Sequence, residues 1–255
     1  MIVSYFIYDI RTLLVCSMTC RSWCIAAVPH LHHSLTVDDI PVHDGKFSWP
    51  WPLQGLYKLG FLPFVKKFRI RLYFSRFTLG NHALGYFPAF TNLQELVIDR
   101  LQVPSFMQDI QRCFGHFAPT LRLLALVEPS GSCRQILYFI GLFPNLQDLN
   151  LCYNLCIIRR ESTADAELKP LSTPPLRGRL TLTCFMREEL MREMIELFGG
   201  LRFRYMDLFR VGCAQLLLGA SAETLEVLRL YPMDFRRKEL LSKQRGKEKA
   251  QVHDS

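Results

Sequence analysis

The 255 residues hold no run both long and apolar enough to cross a bilayer as a helix. The longest uncharged stretch, Phe77 to Gln94, is broken by two glycines, two asparagines, a histidine and a proline. A secretory signal is missing as well: Met1 to Tyr8 is apolar but carries no basic residue and meets Asp9 too soon. The nine cysteines are therefore expected as reduced thiols in the cytosol or nucleus. No glycine-rich phosphate loop is present, because Gly199-Gly200 lacks the lysine and the spacing of a nucleotide motif. No glutamate stands at zincin spacing from His30, His32 or His33, and no nucleophile motif lies near them. Cys16, Cys20 and Cys24 fall four apart on one helical face. A structural zinc site needs a fourth ligand and closer pairs, so these are read as small hydrophobes, as are Cys152 and Cys156. Neither cofactor nor metal is expected, and the chain is read as a non-enzyme.

What is present is core material. Hydrophobic residues make up 49% and charged residues 21%, which excludes wholesale disorder. The net charge of +8 would suggest nucleic acid if it were spread over the body. From Arg236 onward, however, seven Lys/Arg face three acids, so half of it sits in the last stretch. That stretch reads either as a solvating tail or as a basic patch for nuclear import or an anionic surface.

Four parts follow in order: a helical segment (1–37), a linker loop rich in Pro, Gly and Asp (38–58), a repetitive body (59–233) and a basic disordered tail (234–255). In the first, Asp9 is a plausible N-cap, and Leu13, Cys16, Cys20, Trp23 or Cys24, and Ala27 recur at helical steps as far as Val28, with Pro29 as the stop. In the body, one pattern returns: an aliphatic-type residue, two others, an aliphatic, one other, an aliphatic. It occurs at Val65-Phe68-Ile70, Leu93-Leu96-Ile98, Leu121-Leu124-Leu126, Leu146-Leu149-Leu151, Phe203-Met206-Leu208 and Leu225-Leu228-Leu230. Leu176-Leu180-Leu182 is a further copy with one residue too many. Phe/Pro-containing segments lead into several copies, and helix-like stretches (Ser105 to Phe117, Ser132 to Leu142, Arg187 to Phe198) lie between them. The last two apolar residues of a copy share one face of a strand. A helix covers that face and the next unit stacks alongside, which predicts parallel strands with helices on one side.

These copies resemble leucine-rich repeats, the fourth most fully, since Asn154 stands where the family ties down the turn after the strand. Leu13-Leu14, Cys16-Ser17, Cys20-Arg21-Ser22-Trp23 and Pro29-His30-Leu31 resemble the latter two-thirds of an F-box. Thr19 replaces the family's usual valine, and its opening Leu-Pro helix has no counterpart between Met1 and Tyr8. The expected fold is thus α/β: an irregular leucine-rich-repeat solenoid with a parallel sheet, preceded by a short all-α F-box-like segment. The resemblance implies a substrate-recognition subunit of an SCF-type cullin–RING ubiquitin ligase, docking a Skp-type adaptor through Leu13, Leu14, Cys16 and Trp23. A free-standing repeat scaffold without ligase association is the alternative.

The outward strand positions would carry the protein substrate. They include Lys67, Arg69 and Arg71; Glu95, Val97 and Asp99; Asp148 and Asn150; Tyr205, Asp207 and Phe209; and Val227, Arg229 and Tyr231. Basic, acidic and aromatic groups in succession suit a protein partner, whereas a nucleic-acid groove should be basic throughout. The plainer reading is an ordinary solvated sheet face.

Overall fold

A computed structural model of the chain describes residues 9–38, 51–71, 85–101, 103, 110–152, 175–183, 188–209 and 214–231. The expectations for Asn154, Cys156 and the basic tail lie outside these residues.

The described residues open with two helices, α1 (Ile10–Thr19) and α2 (Arg21–Leu31). Asp9 caps α1, its carboxylate accepting from the N–H groups of Arg11 and Thr12 at 3.1 Å each. The single helix expected here breaks at Cys20, whose backbone is extended (φ −160°, ψ 167°). Its cause lies just upstream: the Ser17 and Thr19 hydroxyls donate to the carbonyls of Leu14 and Val15, so side chains compete for the last turn. Pro29 does not end α2 either, because so close to the C-terminus its missing N–H costs one bond and the helix winds on to Leu31.

Strand β1 (Ser34–Asp38) follows at once, then α3 (Trp51–Lys58), β2 (Lys67–Arg71), β3 (Glu95–Asp99), α4 (Ile110–Phe114), β4 (Leu123–Val127), α5 (Cys133–Gly141), β5 (Asp148–Cys152), β6 (Leu176–Leu182), α6 (Glu188–Leu197), β7 (Leu201–Phe209), α7 (Ala214–Ser221) and β8 (Val227–Tyr231). The architecture is α/β. All eight strands form one parallel sheet in chain order.

Two expected boundaries are corrected. The first part is not wholly helical, since it ends in β1, and the expected linker contains α3, where Pro52 sits in the first turn that tolerates it. β1 evaded the repeat because His32 occupies the position that Val65 holds in the next unit; Leu35 and Val37 then pair in register with Phe68 and Ile70.

The three-residue spacing inside each copy has a backbone cause. Residues three apart on a plain strand point to opposite faces. Here two successive N–H groups share one carbonyl of the preceding unit: Lys66 and Lys67 on His33, Gln94 and Glu95 on Lys66, Arg122 and Leu123 on Gln94, Gln147 and Asp148 on Arg122, at 2.7–2.9 Å. That bulge-like start adds a residue and turns both aliphatics inward. Val65, Phe68, Ile70, Leu93, Leu96, Ile98, Leu121, Leu124 and Leu126 are all buried as a result.

In the copy with one residue too many, β6 keeps plain alternation from Leu176 to Leu182, and its register with β7 shifts between Gly178 and Arg179. Gly178 has φ +92°, and a Cβ there would lie 2.0 Å from the Gln147 carbonyl oxygen. Only glycine fits that position.

Helices pack on the inward face. The helix expected from Ser132 is α5, which Ser132 caps as a full box with Gln135, and Ile136, Leu137, Phe139 and Ile140 of α5 join Leu190, Met191 and Met194 of α6 in one core. The stretch expected from Ser105 is helical, among described residues, at Ile110–Phe114 and the 3-10 turn Gly115–Phe117. A chain of buried rings crosses this layer: Phe87 to Phe114 at 5.6 Å, Phe114 to Phe139 at 5.1 Å and Phe139 to Phe143 at 5.4 Å. The last copy is the exception. Leu228 and Leu230 of β8 stay exposed, for among the described residues β8 has a strand neighbour on one side only.

Candidate functional site

Two surfaces hold the residues singled out from the sequence. The first is the helical pair. Leu13 and Cys16 do not face outward as adaptor contacts would need to; they are buried with Ala27 between α1 and α2, because helical spacing puts them on the inner face. Leu14 (49% exposed) and Trp23 (39%) do face solvent. With them stand Ile10, Val15, Met18 and Ile25, of which Met18 is 85% exposed. The periodicity of α1 could have revealed this second stripe, since Ile10, Leu14 and Met18 recur every four residues. Cys20 is exposed, Cys24 is half-buried and both are free, and among the described residues no His/Cys/Asp/Glu group could hold a metal. His32 stacks on Phe61 at 4.6 Å between ring centres, and burial lowers its pKa.

The second surface is the outward face of the sheet. Parallel register brings every expected position into rows: Lys67, Glu95, Asp148, Tyr205 and Val227 in one, then Arg69, Val97, Asn150, Asp207 and Arg229, then Arg71, Asp99, Phe209 and Tyr231. The charges largely answer each other. Lys67 Nζ lies 2.7 Å from Glu95, Arg69 and Arg71 both reach Asp99 (2.8 and 3.4 Å), and Arg229 stands 3.8 Å from Asp207. Half-exposed pairs of this kind contribute little stability, about 0–1 kcal/mol each. Phe209 and Tyr231 stack face to face at 4.0 Å, and the Arg179 guanidinium lies 5.5 Å from the Tyr205 ring centre.

No family model matches the chain. A search of the curated proteins finds no match either.

Three features of this face were missed from the sequence. The β4 residues Leu123, Ala125 and Val127 form an apolar strip midway along it. Arg177 and Arg179 of β6 are outward and exposed, as is Arg202 of β7. The β6 copy breaks the regular spacing and Arg202 precedes the first residue of its triplet, so counting from the aliphatic triplet does not reach them. Asn150 Oδ1 is buried and has no hydrogen-bond partner among the described residues. At the strand ends, Arg100 (φ 63°) and Glu128 (φ 49°) adopt left-handed backbone and pair with each other at 3.2 Å. No described helix is long and apolar enough to cross a membrane.

Proposed function

We propose that the chain is a substrate-recognition subunit of an SCF-type cullin–RING ubiquitin ligase, in which an F-box-like helical pair docks a Skp-type adaptor and an irregular leucine-rich-repeat solenoid holds a protein substrate. The observation that carries the reading is the exposed apolar stripe of α1. Ile10, Leu14 and Met18 recur every four residues along it with Val15 beside them, and Trp23 and Ile25 are exposed on α2, while the buried core of the pair among the described residues is Leu13, Cys16 and Ala27 with Leu31 packed against it. An exposed apolar stripe of that kind marks an interaction surface. The eight-stranded parallel sheet, with one face covered and one outward, supports the solenoid half of the reading. The chain then supplies no ligation chemistry of its own; it brings adaptor and substrate together.

The test is capture of purified Skp-type adaptor by the full-length chain. Wild type is expected to retain the adaptor. Val15→Asp with Met18→Asp should abolish capture with an unchanged circular dichroism spectrum, because both side chains are exposed. A wild-type chain that retains none would turn the reading to a free-standing repeat scaffold.

A further inference from the structure

We propose that the start of β6 and β7 on the outward sheet face binds an acidic segment of a protein, an extended stretch in which carboxylate or phosphorylated side chains alternate with an aromatic or large apolar residue. The inference rests on the receptor reading and names the substrate chemistry. Five basic groups on this face have an acidic partner in the neighbouring strand or just before it: Lys67 with Glu95, Arg69 and Arg71 with Asp99, Arg204 with Glu226 and Arg229 with Asp207. Arg177 and Arg202 break that rule. They are register partners across β6 and β7, both exposed, and neither has an acid within ion-pair distance among the described residues. Like charges directly opposite one another oppose sheet formation, so the fold carries a repulsion that an incoming anion relieves. Two guanidinium groups side by side suit a carboxylate or phosphate, which each can grip with two N–H donors.

The surroundings select a protein as the bearer of that anion. Two residues along β6 from Arg177, Arg179 lies over Tyr205, which sets an aromatic ring beside the basic end. A nucleic-acid backbone bears a charge at every nucleotide and would meet Glu95, Asp99, Asp148 and Asp207 along the same face. A short acidic segment seated at the start of β6 and β7 is held by Arg177 and Arg202 without running the length of the face.

The experiment is fluorescence anisotropy of the full-length chain with a labelled dodecapeptide of repeating Glu-Glu-Tyr. Its Gln-Gln-Tyr counterpart, a phosphoserine version and an oligothymidylate of equal length complete the set. Either acidic peptide should bind roughly tenfold or more tightly than the glutamine peptide, with affinity falling as salt rises; the ranking of carboxylate and phosphate then names the anion. Arg177→Gln with Arg202→Gln should weaken binding roughly tenfold. Its Tm should hold or rise, because the variant removes a repulsion, and a merely structural role for the two arginines would lower it. Lys67→Gln should stay within about twofold of wild type, since that lysine already has its acid. Equal binding of the glutamine peptide, undiminished binding by the double variant, or tighter binding of the oligothymidylate would each overturn the proposal. The readout needs no adaptor, so the two readings fail separately. Peptide binding without adaptor capture sinks the receptor reading alone, and capture without peptide binding sinks this inference alone.

Discussion

The helical pair and the sheet solve the burial problem in opposite ways. In the sheet, the aliphatic pairs of β2 to β7 stack from unit to unit, and one continuous core runs from Val37 on β1 to Leu217 on α7. In the helical pair, the inward stripe is a handful of residues, and a comparable apolar stripe points away from the protein. A repetitive body can complete itself by stacking. Two short helices cannot, and what they leave uncovered is a statement about partners.

Gly178 offers the hardest blow to the self-sufficient half. Gly178→Ala places a Cβ 2.0 Å from a backbone oxygen at φ +92°, where neither atom can give way cheaply. A loss of about 5 kcal/mol is expected, read as a collapse of the denaturation midpoint. Phe114→Ala should come next, at about 4 kcal/mol, because it empties the ring site between Phe87, Phe117 and Phe139. Leu13→Ala tests the separation of the two cores. It should cost about 2–3 kcal/mol of local stability, visible as faster amide exchange in α1, while the midpoint of the sheet stays put. A matched drop in both would mean that the two cores unfold as one.

How far these regions can be read from residues alone differs for the same physical reason. Six regular copies land on strands β2 to β5, β7 and β8, because a residue pattern that must face a core repeats wherever the core repeats. The cap Asp9 is equally local and equally readable. The misses sit where a local rule was traded against a neighbour. β1 hides behind His32, α3 behind its proline, and the break at Cys20 behind an apolar periodicity that continues past it. The rows on the outward face depend on register across strands, a property of pairs rather than of any one segment. Lys67 and Glu95 are unremarkable apart and informative together, and Arg177 beside Arg202 becomes visible only after the register shift at Gly178 is known.

His32 stands at the seam between the two regions, and it gives the smallest effect. It follows α2, stacks on Phe61 and takes the place of an aliphatic in the first rung. Burial holds its pKa below the ordinary 6.5, so the folded chain prefers the neutral ring. The unfolded chain therefore binds the proton more readily. The stability contributed by the neutral ring is full above pH 6.5 and is lost as pH falls from there through the lower folded value. His32→Leu restores the aliphatic pattern and removes the proton site, so denaturation midpoints of the variant should stay flatter than wild type over that interval and match or exceed it at the acid end. A variant whose midpoint falls in parallel with wild type would show that the ring at the seam is indifferent to charge, and that the two regions meet there without a shared dependence on pH.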